Sequence, residues 1–204
     1  MEKNNHTIDA IIDLARRKGI LQIRDVREAG FHPETVRRLC QSGHLKRIDR
    51  NAYILSDADV SADISLASVS KRIPNGVMCL LTALRYHDIG TQLPYAVWVA
   101  IDRSTPWPRP PIENPTTQIF RFSGQSFAAG IEVHNIDGVP VRIYDPGKTV
   151  VDCFKYRNKI GLDVAVEALK DVLQNRRCTV DQIIEYARIR RLSKIIRPYM
   201  EAML

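Results

Sequence analysis

The chain has 204 residues, with 30 lysines and arginines against 23 aspartates and glutamates and a formal net charge of +7. Its 45% hydrophobic and 26% charged residues are typical of a globular protein and exclude a disordered chain, a collagen-like chain and a disulfide miniprotein. The longest apolar run, Ala96 to Ile101, is far shorter than the roughly 20 residues of a membrane span, and the N-terminus lacks a signal-peptide core. We therefore expect a cytoplasmic protein without membrane contact.

The first sixty residues predict three helices followed by a hairpin. Apolar residues at helical spacing from Ile8, with Thr7 as a cap, indicate a first helix that Gly19 ends. Pro33 suits the first position of the third helix, where a missing N–H has no cost. The expected helices are 8–18, 24–29 and 33–41, the expected strands are 45–48 and 52–55, and a short extended stretch is expected at 20–23. This order indicates a winged helix-turn-helix domain, which we place at residues 1–60.

Lysines and arginines are concentrated in the third helix and the hairpin, where they outnumber the acidic residues. Val36, Leu39 and Cys40 share the inward face of the helix, so its other side chains face outward. Those side chains are bidentate donors or short polar groups that match base edges in the major groove, and the hairpin cations match phosphates or the minor groove. The candidate DNA contacts are Thr35, Arg37, Arg38 and Gln41 on the helix and Lys46, Arg47 and Arg50 on the hairpin. Because winged helices also bind proteins, a protein-interaction module remains the alternative.

Residues 61–204 predict a mixed α/β domain closed by helices, so the whole chain belongs to the α+β class. Helices are expected at 64–72 and 78–87, and strands at 96–101, 118–122, 131–136 and 139–144, with a hairpin turn at Asp137-Gly138. A proline-rich loop is expected at 104–115. Three closing helices are expected. An apolar stripe from Leu162 indicates the first, the second covers 180–188 with Thr179 as its cap, and a basic helix begins at Ser193. The cations near this end are additional candidate phosphate contacts: Arg188, Arg190, Arg191 and Lys194.

Two patterns in the second domain suggest chemistry but are too incomplete to predict it. Pro146 to Thr149 lies between a strand and a helix like a phosphate-binding loop, but Arg142 occupies the position of the required glycine. The carboxylates Asp102, Asp145 and Asp152 lack the arrangement of a metal-dependent nuclease. We expect Asp152 to bond its neighbours or a partner arginine. We therefore predict no enzyme activity, no catalytic residue, no metal and no cofactor, and we expect the four cysteines to be buried thiols.

The chain resembles the AbiEi family of antitoxins from type IV toxin–antitoxin systems. The family elements in 18–26 and 43–53 stand here as Gly19, Gly43, Leu45, Arg47 and Tyr53, while Asn51-Ala52 replaces the glycine usual at the hairpin turn. Residues 72–84 and 146–154 resemble later parts of the family, with Lys148 in place of an arginine.

This resemblance implies a transcriptional repressor that acts in abortive infection, a form of phage defence. Such an antitoxin binds double-stranded operator DNA at inverted repeats and represses its own operon. It counteracts a nucleotidyltransferase-like toxin encoded alongside it, without a stable complex. Direct binding of the toxin by the winged helix, and a general repressor without a toxin, remain the alternatives.

Overall fold

The structure is a computed structural model that describes residues 2–49, 51–58, 63–106 and 115–203, with side chains from residue 7 onward. By their contacts these residues form two compact units. The first unit is Met1–Arg72 with Asn135–Pro140, and the second is Ile73–His134 with Val141–Leu204. Helix 64–72 thus groups with the N-terminal unit, whereas the boundary after residue 60 stays a prediction.

The first unit packs helices against a small antiparallel sheet. Its elements are α1 (Glu2–Lys18), β1 (Leu21–Gln22), α2 (Ile23–Glu28), α3 (Pro33–Gln41), β2 (Leu45–Asp49), β3 (Ala52–Leu55) and α4 (Ile64–Arg72). The strand order is β1-β3-β2, so β1 and β2 are the two edges. Buried apolar side chains from all three N-terminal helices form one core with the sheet: Ile11, Leu14, Val26, Val36, Leu39 and Leu45.

The first helix is longer than the sequence predicted. It begins at Glu2, so the expectation that Thr7 caps it is wrong. The apolar stripe from Ile8 packs on the core, and the helix extends N-terminal to it as far as Glu2. Of the extended stretch predicted at 20–23, only Leu21 and Gln22 form a strand, because α2 begins at Ile23.

The hairpin turn between the strands Ile131–Ile136 and Val139–Tyr144 completes the first unit, and the predicted turn at Asp137-Gly138 is confirmed. Both residues have positive φ, as a type I′ turn requires. The turn lies against Gly19, whose φ is +65° and where a Cβ would collide with the carbonyl oxygen of Asp137.

We therefore expect Gly19→Ala to destabilise the protein more than Gly43→Ala. At both positions φ is positive, which costs a non-glycine residue about 1–2 kcal/mol. Nothing lies within 4 Å of a Cβ at Gly43, whereas at Gly19 the backbone of the turn must also move. Urea unfolding of the two variants measures the difference, and equal losses in the free energy of unfolding would contradict the packing described for Gly19.

The second unit contains a five-stranded mixed sheet in the order β6-β5-β4-β8-β7, with helices packed on it. Its elements are β4 (Val77–Met78), α5 (Leu80–Tyr86), β5 (Val97–Asp102), β6 (Thr117–Phe122), α6 (Gln125–Ala128), β7 (Ile131–Ile136), β8 (Val139–Tyr144), α7 (Pro146–Lys155), α8 (Arg157–Ile160), α9 (Leu162–Gln174), α10 (Val180–Ile189) and α11 (Ser193–Glu201). The predicted α+β content is confirmed. Most of the proline-rich loop predicted at 104–115 lies outside the described residues.

Two details of this unit differ from the prediction. Helix α5 begins at Leu80 rather than at Met78, because Met78 pairs with Val99 on one side and Ile143 on the other. The single-turn helices α6 and α8 are too short to show a helical period in the sequence. No helix in the described ranges is both long enough and apolar enough to cross a membrane.

Candidate nucleic-acid interface

Helix α3 has one face in the core of the first unit and the opposite face in solvent. Val36 and Leu39 are buried, whereas Arg37, Arg38 and Gln41 are exposed. Thr35 is half-buried at the border between the two faces. The structure thus places three of the four predicted helix contacts on open surface.

The start of α3 is fixed by its own cap. Nδ1 of His32 accepts a hydrogen bond from the backbone N–H of Glu34 at 3.2 Å, and Pro33 occupies the first helical position. The carboxylate of Glu34 lies 3.8 Å from the guanidinium of Arg37, and both side chains are exposed. An exposed pair of this kind contributes about 0–1 kcal/mol, so Arg37 is able to leave it for a stronger acceptor.

The pairing of β2 with β3 separates the two hairpin cations that the sequence grouped together. Lys46 lies opposite Ile54, and Arg47 lies opposite Tyr53. Because successive side chains alternate across a strand, Lys46 and Arg47 project from opposite faces of the sheet. Arg47 shares its face with Leu45, which packs into the helical core, so Arg47 is on the face that α3 covers.

Arg47 lies beside α3. Its Nε donates to the carbonyl oxygen of Asp49 at 2.9 Å, which holds the side chain near the end of the strand. Burial raises the pKa of the Cys40 thiol on α3, and the charge of Arg47 partly opposes that rise, which requires the two groups to be close. We define the α3–β2 surface as Arg37, Arg38, Gln41 and Arg47, with Thr35 at its border. Arg50, the remaining hairpin candidate, lies outside the described residues.

The candidate phosphate contacts near the C-terminus divide into exposed and buried side chains. Arg188, Arg191 and Lys194 are exposed. Arg190 departs from the expectation, because it is 8% exposed and its Nε lies 2.6 Å from Oδ1 of Asp152. It follows Ile183 and Ala187 at helical spacing, on the face of α10 that packs inward. We therefore remove Arg190 from the candidate phosphate contacts.

Arg190 belongs to a buried charged triad with Lys148 and Asp152, which the sequence did not predict as a unit. Nζ of Lys148 lies 2.5 Å from Oδ2 of Asp152, and both side chains are fully buried. The same ammonium lies 4.2 Å from the ring centroid of Tyr144. Burial lowers the pKa of Lys148, and the attraction of Asp152 opposes this shift. The prediction that Asp152 bonds a neighbour or a partner arginine is confirmed.

The other groups that suggested chemistry also have structural partners. The carboxylate of Asp145 caps α7 by accepting the N–H of Lys148 at 2.8 Å, and it accepts the hydroxyl of Tyr186 at 2.5 Å. Asp102 accepts the N–H of Ser104 at 2.9 Å. Within the part of the chain that the structure describes, no group of three or more His, Cys, Asp or Glu side chains has the arrangement of a metal site.

Part of the N-terminal unit is similar to a known protein family. Residues 9–56 match the family model described as "Transcriptional regulator, AbiEi antitoxin", which confirms the resemblance predicted from the sequence. The matched segment contains α2, α3 and the β2–β3 hairpin, and therefore the whole α3–β2 surface. The match supports an antitoxin or regulator role.

The overall fold is similar to that of a solved structure, the crystal structure of the RV2827C protein from Mycobacterium tuberculosis. The two superpose with a TM-score of 0.58 over 89% of this chain and 71% of that chain, at 12% sequence identity. At this identity the similarity shows the fold alone. No curated protein matches the sequence.

Proposed function

We propose that this chain is a cytoplasmic DNA-binding antitoxin that represses its own operon. Its N-terminal part is a winged helix-turn-helix in which α2 and α3 are the helix pair and β2–β3 is the wing. The order of the elements and the β1-β3-β2 sheet support this assignment. Gly30, with φ +80°, lies in the turn that joins the two helices. The recognition helix is then α3, whose N-terminal half reaches base edges in the major groove.

The α3–β2 surface is the observation that carries the proposal. Arginine and glutamine are the side chains that make bidentate hydrogen bonds to guanine and adenine. Arg37, Arg38 and Gln41 are exposed on a helix that is held on its other face by buried Val36 and Leu39. Arg47 extends the positive charge from α3 onto the wing, where it contacts phosphates or the minor groove. Arg188, Arg191 and Lys194 are further phosphate contacts in this proposal.

The partners in this proposal are operator DNA and a toxin. The operator has inverted repeats. The toxin is a nucleotidyltransferase-like protein encoded alongside the antitoxin, and the antitoxin counteracts it without forming a stable complex. The family match at residues 9–56 supports the regulator part of this proposal.

Salt dependence of DNA binding tests the proposal directly. We expect the protein to bind a duplex from the region upstream of its own gene, with a slope of log K against log salt of roughly −0.9 for each phosphate contacted. Contacts to two or more phosphates give a slope of about −1.8 or steeper. The absence of duplex binding, or a slope near zero, would contradict the proposal. If the wing instead binds the toxin, the protein will co-purify with the product of the neighbouring gene in high salt.

A further inference from the structure

A second group of cations lies in the first unit, outside the α3–β2 surface. Its members are Lys18 at the end of α1, Arg24 in α2 and Lys71 in α4, and the carboxylate of Asp25 lies near them. Nζ of Lys18 lies 3.4 Å from Oδ1 of Asp25. Arg24 Nη2 donates to the carbonyl oxygen of Lys71 at 3.4 Å, which brings α2 and α4 together. We call Lys18, Arg24 and Lys71 the α2 cation cluster.

One carboxylate does not balance three cations. Asp25 is 6% exposed, and its Oδ2 already accepts the backbone N–H of Gln22 at 2.8 Å. Nζ of Lys71 is held by the carbonyl oxygen of Ile20 at 2.9 Å, so this ammonium is not free to move away from the other two charges. Three cations in this region thus outnumber the Asp25 carboxylate, and the ammonium of Lys71 is held in place.

The electrostatics of Lys71 agree with this geometry. Its pKa is lowered, chiefly by burial and further by the positive charges of Lys18 and Arg24, while Asp25 acts in the opposite direction. Like charges held close together favour the binding of an anion, because the anion removes their repulsion. Two ammonium groups and one guanidinium are the donors that bind phosphate oxygens in proteins.

We propose that the α2 cation cluster binds a phosphate group, and that in the operator complex this group is a phosphodiester of the DNA backbone. The choice of DNA as the source rests on the proposed function. In a helix-turn-helix the first helix of the pair crosses the DNA backbone while the second enters the groove, and Arg24 lies in the first turn of α2.

The cluster is well placed for a phosphate contact separate from that of the wing. It lies next to β1, whereas Lys46 and Arg47 lie on β2, and these two strands are the opposite edges of the sheet. Two strand spacings separate the edges by about 10 Å. The α2 cation cluster is thus a candidate phosphate site made of residues other than those of the wing.

The test uses the full-length protein and the variant Arg24→Gln, with Arg16→Gln as the matched control. Arg24 is exposed and is not bonded to Asp25, so its replacement removes one cation from the cluster and leaves Asp25 paired with Lys18. Arg16→Gln removes the same charge from the same unit. Arg16 is outside the α2 cation cluster, because its side chain pairs with exposed Asp13 on α1. Arg24→Lys keeps the charge and is the conservative variant.

Two measurements distinguish the sources of the phosphate. In the DNA arm, Arg24→Gln should make the salt slope of duplex binding shallower by roughly 0.9, whereas Arg16→Gln and Arg24→Lys leave it unchanged. In the phosphate arm, inorganic phosphate at constant ionic strength should raise the Tm of the DNA-free protein, and Arg24→Gln should reduce that rise.

Each outcome decides a part of the proposal. A change in the DNA arm supports the phosphodiester, and a change in the phosphate arm alone supports a site for free phosphate and overturns the assignment to DNA. If Arg24→Gln changes neither measurement, the cluster is not a phosphate site. If the unmodified protein binds no duplex, the proposed function is wrong. The phosphate arm alone then tests whether the cluster binds phosphate.

Discussion

Asp152→Asn is expected to lower the free energy of unfolding by about 3–5 kcal/mol, the cost of removing one partner from a buried ion pair. The replacement has the same shape, so it removes the charge without creating a cavity. In the unmodified protein the ammonium of Lys148 and the guanidinium of Arg190 both lie within 2.6 Å of the Asp152 carboxylate. The replacement therefore leaves both cations buried without an anion.

Urea unfolding measures this effect, with Asp88→Asn as the control. Asp88 also pairs with an arginine, Arg85, at 3.1 Å, but its side chain is 79% exposed, so its loss should change the free energy of unfolding by less than about 1 kcal/mol. If Asp152→Asn costs no more than this control, the triad does not carry the stability of the second unit that we assign to it.

The double replacement of Arg37 and Arg38 by alanine is expected to abolish specific operator binding. Each bidentate contact to a base contributes about 1–3 kcal/mol. Loss of both therefore lowers the affinity by about 30-fold or more. Both side chains are exposed and outside the core, so the variant should keep the circular dichroism spectrum and the Tm of the unmodified protein.

The matched control for this variant is Arg85→Ala with Lys170→Ala, which removes two exposed cations from the second unit. It lowers the net charge by the same amount and should retain most of the operator affinity. If the two double variants bind operator DNA equally well, recognition does not depend on the exposed face of α3.

Much of the first unit was predictable because its helices bury a regular apolar stripe. Val36 and Leu39 recur at helical spacing, and the structure buries both. The pairing of β1 with β3 was not predictable in this way, since Leu21 and its partner Tyr53 are more than thirty residues apart in the sequence. The separation of Lys46 from Arg47 required the register of β2 with β3, which only the folded hairpin supplies.

In the second unit the individual elements were easier to predict than the contacts between them. The spacing of Lys148 and Asp152 by four residues on α7 is a sequence signal for an ion pair. Arg190 reaches the same carboxylate from α10, through a tertiary contact that local patterns do not encode. Its neighbours Arg188 and Arg191 are exposed, so a cluster of cations in the sequence did not reveal that one of them faces inward.

The most direct measurement of the proposed DNA surface is the change in backbone amide chemical shifts when operator duplex is added. We expect the largest shifts at residues 35–41 of α3 and 45–49 of β2, with smaller shifts near Arg24 if the α2 cation cluster holds a phosphate. Shifts confined to the second unit, or no shifts at saturating duplex, would contradict the assignment of α3 and the wing as the DNA-binding surface.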